Sequence, residues 1–142
     1  VKVGLEFGAD AGVNYRAQDL AAEVMKITGG TGVNVVFENI GDPDLFPKAL
    51  ASMARKGRLV TAGGHGGGIV PLDVNRLYQN QLTIIGATGE TPEDVDFALK
   101  AAAEGKFKGL IHCVLPLSEA VKAHEMIEAR EPLGKIVLDP TK

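Results

Sequence analysis

Short β-branched apolar runs alternate along this chain with longer stretches in which apolar residues recur every three or four positions. The first pattern is that of strands buried on both faces, the second that of amphipathic helices, and their alternation predicts a parallel α/β sheet. Val1–Phe7 reads as the tail of a helix stopped by Gly8, and Gly12–Tyr15 as a short strand. Gln18–Ile27 places Leu20, Ala21, Val24 and Ile27 on one helical face and ends in the Thr28–Gly32 run. Asn34–Asn39 contains Val35-Val36-Phe37, apolar enough for a fully buried strand. Asp42-Pro43 predicts a helix start that runs to Lys56, with Gly57 as its stop.

Arg58–Ala62 is the next buried strand, and the six residues Gly63–Gly68 must break regular structure. Ile69–Asp73 is expected as a short edge strand and Leu82–Thr88 as a stronger one. Thr91-Pro92-Glu93-Asp94 carries a capping hydroxyl, a first-turn proline and two acids near the positive end of a helix dipole. The helix it opens, Val95–Glu104, stops at Gly105. A strand at Leu110–Leu115, a helix from a Ser118 cap through Glu128 and a last strand at Lys135–Leu138 complete the series. With 142 residues and no repeat or linker, the pattern describes one domain with one core.

Composition narrows the function. The net charge of -3, with Lys and Arg dispersed, carries no basic stripe and argues against nucleic acid as a partner. No apolar run approaches the roughly 20 residues of a membrane span, so no membrane partner is expected. The single cysteine, Cys113, has no internal disulfide partner and reads as a buried thiol on a strand, which fits a reducing cytoplasm. The 18 glycines are about twice the usual share and gather where strand patterns end.

Ligands of an open parallel sheet bind at the carboxyl ends of its strands. Three strands here leave through small or polar residues: Asn39-Ile40-Gly41, Ala62-Gly63-Gly64-His65 and Gly86-Ala87-Thr88-Gly89. Without bulky side chains, a ring or a sugar can approach the backbone there. His65, set among glycines with no carboxylate nearby to orient it, makes a poor general base. His112 and His124 have no second ligand at zinc spacing, and no catalytic or metal residue is assigned. Glu38 and Asp42 flank the end of a strand, where Asp42 reads as a helix cap.

Taken in order, Phe7-Gly8-Ala9-Asp10, Val13-Asn14-Tyr15-Arg16, Ile27-Thr28-Gly29-Gly30, Lys56-Gly57-Arg58-Leu59-Val60, Gln81-Leu82-Thr83-Ile84-Ile85-Gly86, Pro116-Leu117-Ser118-Glu119-Ala120 and Gly134-Lys135-Ile136-Val137-Leu138 resemble the cofactor domain of medium-chain dehydrogenases and reductases. That superfamily joins zinc-type alcohol dehydrogenases with quinone oxidoreductases, and the similarity spans essentially the whole chain. The resemblance implies a Rossmann-type parallel sheet flanked by helices. It also implies an oxidoreductase moving hydride between NADP or NAD and an alcohol, a carbonyl compound or a quinone. Tyr15 matches a position against the adenosine end of the cofactor; Asn39, Ile40 and Gly41 match the turn near its ribose; Ala62, Gly63 and Gly64 match the strip facing the nicotinamide. It further implies a homodimer paired through the Ile69–Asp73 edge.

The family's Gly-rich phosphate-binding turn has no counterpart here, because Gly63–Gly68 follows a late strand and leads to Pro71 rather than into a helix. That turn, the first two strands and the catalytic domain with any zinc would precede Val1. The chain is therefore expected to be the C-terminal part of a nucleotide-binding domain, inactive by itself. In the strand order 3-2-1-4-5-6, Gly12–Tyr15 would be the third strand and Asn34–Asn39 the fourth, an exposed edge of buried character. Two other readings stand beside this one: a non-catalytic relative, of the lens-crystallin or vesicle-protein kind, and a small nucleotide-binding module complete in itself.

Overall fold

The computed structural model describes residues 1–142 as two units, Val1–Gly89 and Glu90–Lys142, each with its own parallel sheet. The first begins with α1 (Lys2–Glu6) and α2 (Leu20–Ile27). Asp19 starts α2 by accepting the Ala22 N–H at 2.8 Å. Strands β1 (Val33–Glu38), β2 (Met53–Thr61) and β3 (Thr83–Gly86) form a sheet in the order β1-β2-β3. Helix α3 (Leu45–Ala51) links β1 to β2, and α4 (Val74–Gln79) lies between β2 and β3. The core is one apolar cluster of Phe46, Leu50, Met53 and Leu59, flanked by Val36, Val70, Leu82 and Ile84.

Register decides where the strands stop. Glu38 lies beside Thr61, and Thr61 beside Gly86, so all three strands end in one row at the carboxyl edge. The Asn39, Gly63 and Gly86 exits therefore share a rim, as the strand pattern required. β1 has a partner on one side only, and its Val35 and Phe37 side chains are exposed, which bears out the expected bare edge.

Several expectations for this unit need correction. Gly12–Tyr15 is not a strand. With no neighbour to pair with, its backbone follows local turn chemistry: the Asn14 carbonyl accepts from the N–H groups of Ala17 and Gln18, and the Gln18 side chain accepts from Asn14 N–H at 3.0 Å. The helix opened by Asp42 ends at Ala51 rather than at Lys56, because Met53 and Ala54 are drawn into the core as the start of β2. The N-cap of α3 is Asp44 rather than Asp42, and the Asp42 side chain stands two residues ahead of it, accepting from the N–H groups of Asp44 and Leu45 at 2.8 and 2.9 Å. Ile69–Asp73 forms no strand either. Pro71 withholds one N–H, and Asp73 turns to cap α4 through the Arg76 N–H at 2.9 Å. Helix α4 itself was not anticipated.

The second unit opens with α5 (Pro92–Ala103) and continues through β4 (Ile111–Pro116), a 3-10 turn (Leu117–Glu119), α6 (Ala120–Glu128) and β5 (Lys135–Asp139). Thr91 and Asp94 form the expected reciprocal cap of α5, each side chain accepting the other's backbone N–H. Ser118 does not cap α6, because the 3-10 turn holds it one residue before the N-cap, Glu119. Strands β4 and β5 pair in parallel from Ile111 beside Lys135 to Pro116 beside Asp139. Cys113 is half-buried on β4 rather than fully buried, since its two-stranded sheet leaves it partly open. No helix of the chain is long and apolar enough to cross a membrane.

Candidate functional site

The carboxyl rim of the first sheet is built from backbone. The Asn39–Gly41 turn after β1 and the Gly63–Gly68 loop after β2 lie against each other with almost no side chain between them. A Cβ on Gly63 would stand 2.4 Å from the Asn39 carbonyl oxygen, and one on Gly66 would stand 2.9 Å from Asp42 Cα. Gly41 has φ +64°, a conformation that costs glycine nothing, and a Cβ there would meet Gly64 Cα at 3.0 Å. The loops are stitched by hydrogen bonds as well: Gly66 N–H donates to the Ile40 carbonyl at 2.6 Å and Gly68 N–H to the Gly41 carbonyl at 3.1 Å.

Two clefts open on this rim. The first has a volume of about 340 Å³, with Glu38, Gly41, Thr61, Gly63 and Gly64 on its rim side and Phe46, Val70, Leu72 and Ile84 as an apolar wall. The second, about 260 Å³, lies along β1 between Tyr15, Leu20, Phe37, Asn39, Ile40 and Leu45. The structure thus divides the expected site residues between two places. Gly41, Gly63 and Gly64 share the first cleft; Tyr15, Asn39 and Ile40 share the second; Ala62 lines neither and is exposed, its N–H bonded to the Glu38 carbonyl at 2.9 Å. His65 is exposed at the tip of the glycine loop.

Glu38 is the residue that sequence reasoning left without a role. It is the one buried ionisable side chain, 9% exposed. One carboxylate oxygen accepts the N–H groups of both Ile40 and Gly41 at 2.7 Å, and the other accepts the Thr61 hydroxyl at 2.9 Å. Burial pushes its carboxyl upward and the Asp42 charge adds to that, yet the two N–H donors and the hydroxyl outweigh both and hold it below the usual glutamate range. The signal was present in the sequence: an acid at the end of a strand apolar on both faces needs donors, and the following turn supplies them.

Because Ile40 and Gly41 spend their N–H groups on Glu38, the turn has none of those donors left for a ligand. The N–H groups of Gly63 and Gly64 have no acceptor within the chain, so they are the unspent backbone donors beside the first cleft. No group of three or more His, Cys, Asp or Glu side chains is placed to hold a metal ion.

Residues 7–138 match the family described as zinc-binding dehydrogenase. The chain belongs to that family. Its relatives are quinone oxidoreductases and alcohol dehydrogenases. It is 32% identical over 146 aligned residues to quinone oxidoreductase-like protein 2 of Rattus norvegicus, covering 96% of this chain and 41% of that protein. It is also 32% identical over 140 residues to the NAD-dependent alcohol dehydrogenase of Sulfolobus acidocaldarius, covering 97% of this chain and 40% of that protein. Among solved structures, AibC superposes with a TM-score of 0.89 at 37% identity, over 96% of this chain and 38% of AibC. The fold is therefore the Rossmann type of this family, and the chain spans about 40% of the length of the relatives it matches.

Proposed function

We propose that residues 1–142 are part of a single dinucleotide-binding domain, and that the protein carrying them transfers hydride between NAD or NADP and an alcohol, a carbonyl compound or a quinone. The observation that carries this reading is the shared row of strand ends, Glu38, Thr61 and Gly86, with glycines where a Cβ would close the rim. The family relation supports it, since one relative is named as NAD-dependent.

The cleft fits a nicotinamide ring and its amide by chemistry. Phe46, Val70, Leu72 and Ile84 offer an apolar wall for a flat ring, while the free N–H groups of Gly63 and Gly64 suit a carbonyl acceptor. The second cleft, with Tyr15 and Ile40, suits the ribose and adenine end. When bound, the dinucleotide supplies the carbon that gives or takes hydride. The residues of this chain orient it, and the apolar wall keeps water from the reacting face. A cytoplasmic setting is part of the same reading.

A titration of NAD and NADP into the full gene product tests it. Saturable binding of one of them is expected, and Leu72→Trp, which fills the first cleft, should weaken it at least about tenfold, the scale of one well-made contact. The absence of saturable binding in the unmodified protein, or unchanged affinity in Leu72→Trp, would remove the reading. Residues 1–142 alone should bind weakly, because no glycine turn in them leads into a helix to cradle a pyrophosphate.

A further inference from the structure

We infer that Glu38 is a positioning residue for this dinucleotide cleft, an internal acceptor that fills the amide nest of the 39–41 turn and thereby sets the shape of the rim. The inference rests on the cofactor reading above. Consecutive N–H groups converging on one point make a concave site for an anion. In this chain the N–H groups of Ile40 and Gly41 converge at 2.7 Å on a single Glu38 oxygen, so the anion is the protein's own. The other oxygen reaches across to Thr61 on β2, and the carbonyls of Ile40 and Gly41 are taken by Gly66 and Gly68. One side chain therefore joins the exits of two strands and, through the turn it holds, the glycine loop that borders the first cleft. No lysine, arginine or histidine pairs with it, so its negative charge is stabilised by these three donors and is not part of an ion pair.

Two consequences follow for ligands. The turn presents no N–H pair to a phosphate or a carboxylate, because that pair is already occupied. With the Ile40 and Gly41 carbonyls bonded to the glycine loop as well, its hold on a ligand must come from shape and from Asn39, which suits a neutral polar group better than an anionic one. The position of Gly63 and Gly64, whose N–H groups are free, depends on the turn against which their loop is stitched. Losing the acceptor at Glu38 would release the turn and misplace those donors.

The test uses the full gene product and its affinity for the dinucleotide. Glu38→Ala empties the nest and is expected to weaken binding about tenfold or more, since the turn loses every donor–acceptor bond that fixes it to Glu38. Added formate, small enough to enter the space left by the carboxylate, should restore most of the lost affinity, whereas chloride at matched ionic strength should not. The unmodified protein should respond to neither salt. Glu38→Gln keeps an acceptor for both N–H groups, and the Thr61 hydroxyl can turn to accept from its amide, so affinity should stay within about threefold. If Glu38→Ala does not fold, the glutamine variant decides: retained affinity supports the inference, and a loss beyond tenfold in a folded protein overturns it. A folded Glu38→Ala that binds as tightly as the unmodified protein, or whose loss formate leaves unchanged, overturns it as well. If the unmodified protein binds no dinucleotide, it is the cofactor reading that fails, and the behaviour of Glu38 variants is not what removes it.

Discussion

Gly63 shows how a single residue can be dictated by its surroundings rather than by its own backbone angles. Any side chain there would collide with the Asn39 carbonyl, 2.4 Å from an ideal Cβ, and the backbone has to move to admit even a methyl. Gly63→Ala should destabilise the protein by about 1–3 kcal/mol, the usual range for overpacking, read as a lower urea midpoint with an unchanged m-value. Glu38 makes a prediction in pH. Its folded-state pKa lies below its unfolded value, so its contribution is complete above the ordinary glutamate range and is lost as pH falls through the folded value. Urea midpoints measured between pH 7 and about 3 should drop on the acid side, and Glu38→Gln should flatten that part of the curve, since the ordinary glutamate pKa is about 4.3. The glycine cluster and the strand-end acid were visible in the sequence, and the turn at Ile40 and Gly41 that serves Glu38 is local, but the Thr61 hydroxyl and the Asn39 carbonyl against Gly63 come from segments more than twenty residues away.

The elements divide by how local their determinants are. Helix α5 was legible in detail because Thr91, Pro92 and Asp94 sit within one turn of its start and the cap closes on itself. Thr91→Ala should cost about 1 kcal/mol, the typical worth of a capping side chain, measured as a lower thermal midpoint. Ser118→Ala should cost much less, because Ser118 makes no capping hydrogen bond. The segments that differed from expectation, Gly12–Tyr15 and Ile69–Asp73, have strand-like composition but no partner, and a strand without a ladder leaves its polar backbone to turns and caps. The end of α3 has a tertiary cause too: the Arg76 guanidinium from α4 donates to the carbonyls of Leu50 and Ala51, occupying groups that a longer helix would have bonded itself.

At the scale of the whole molecule, the bare edge of β1 is the dominant physical fact. Val35 and Phe37 are 53% and 69% exposed on a strand whose outer N–H and C=O groups face no neighbour in the chain. An unprotected edge of that kind recruits other strands. Residues 1–142 produced alone should associate in a concentration-dependent way, and Phe37→Lys should shift the population toward the smaller species in sedimentation velocity, with little change in unfolding midpoint. An unmodified chain that stays monomeric across the concentration range would contradict this.

The sequence by itself determined the α/β class, the glycine-rich exits and the family relation. All of these rest on periodicity and on residue types adjacent in the chain. The tertiary structure decided which apolar runs became strands, where α3 stopped, how the site residues divided between two clefts, and what Glu38 does. Those outcomes depend wholly or, for Glu38, in part on partners distant in sequence. A backbone N–H or a buried carboxylate takes whichever acceptor or donor the fold brings within about 3 Å, and local pattern carries no record of which that will be.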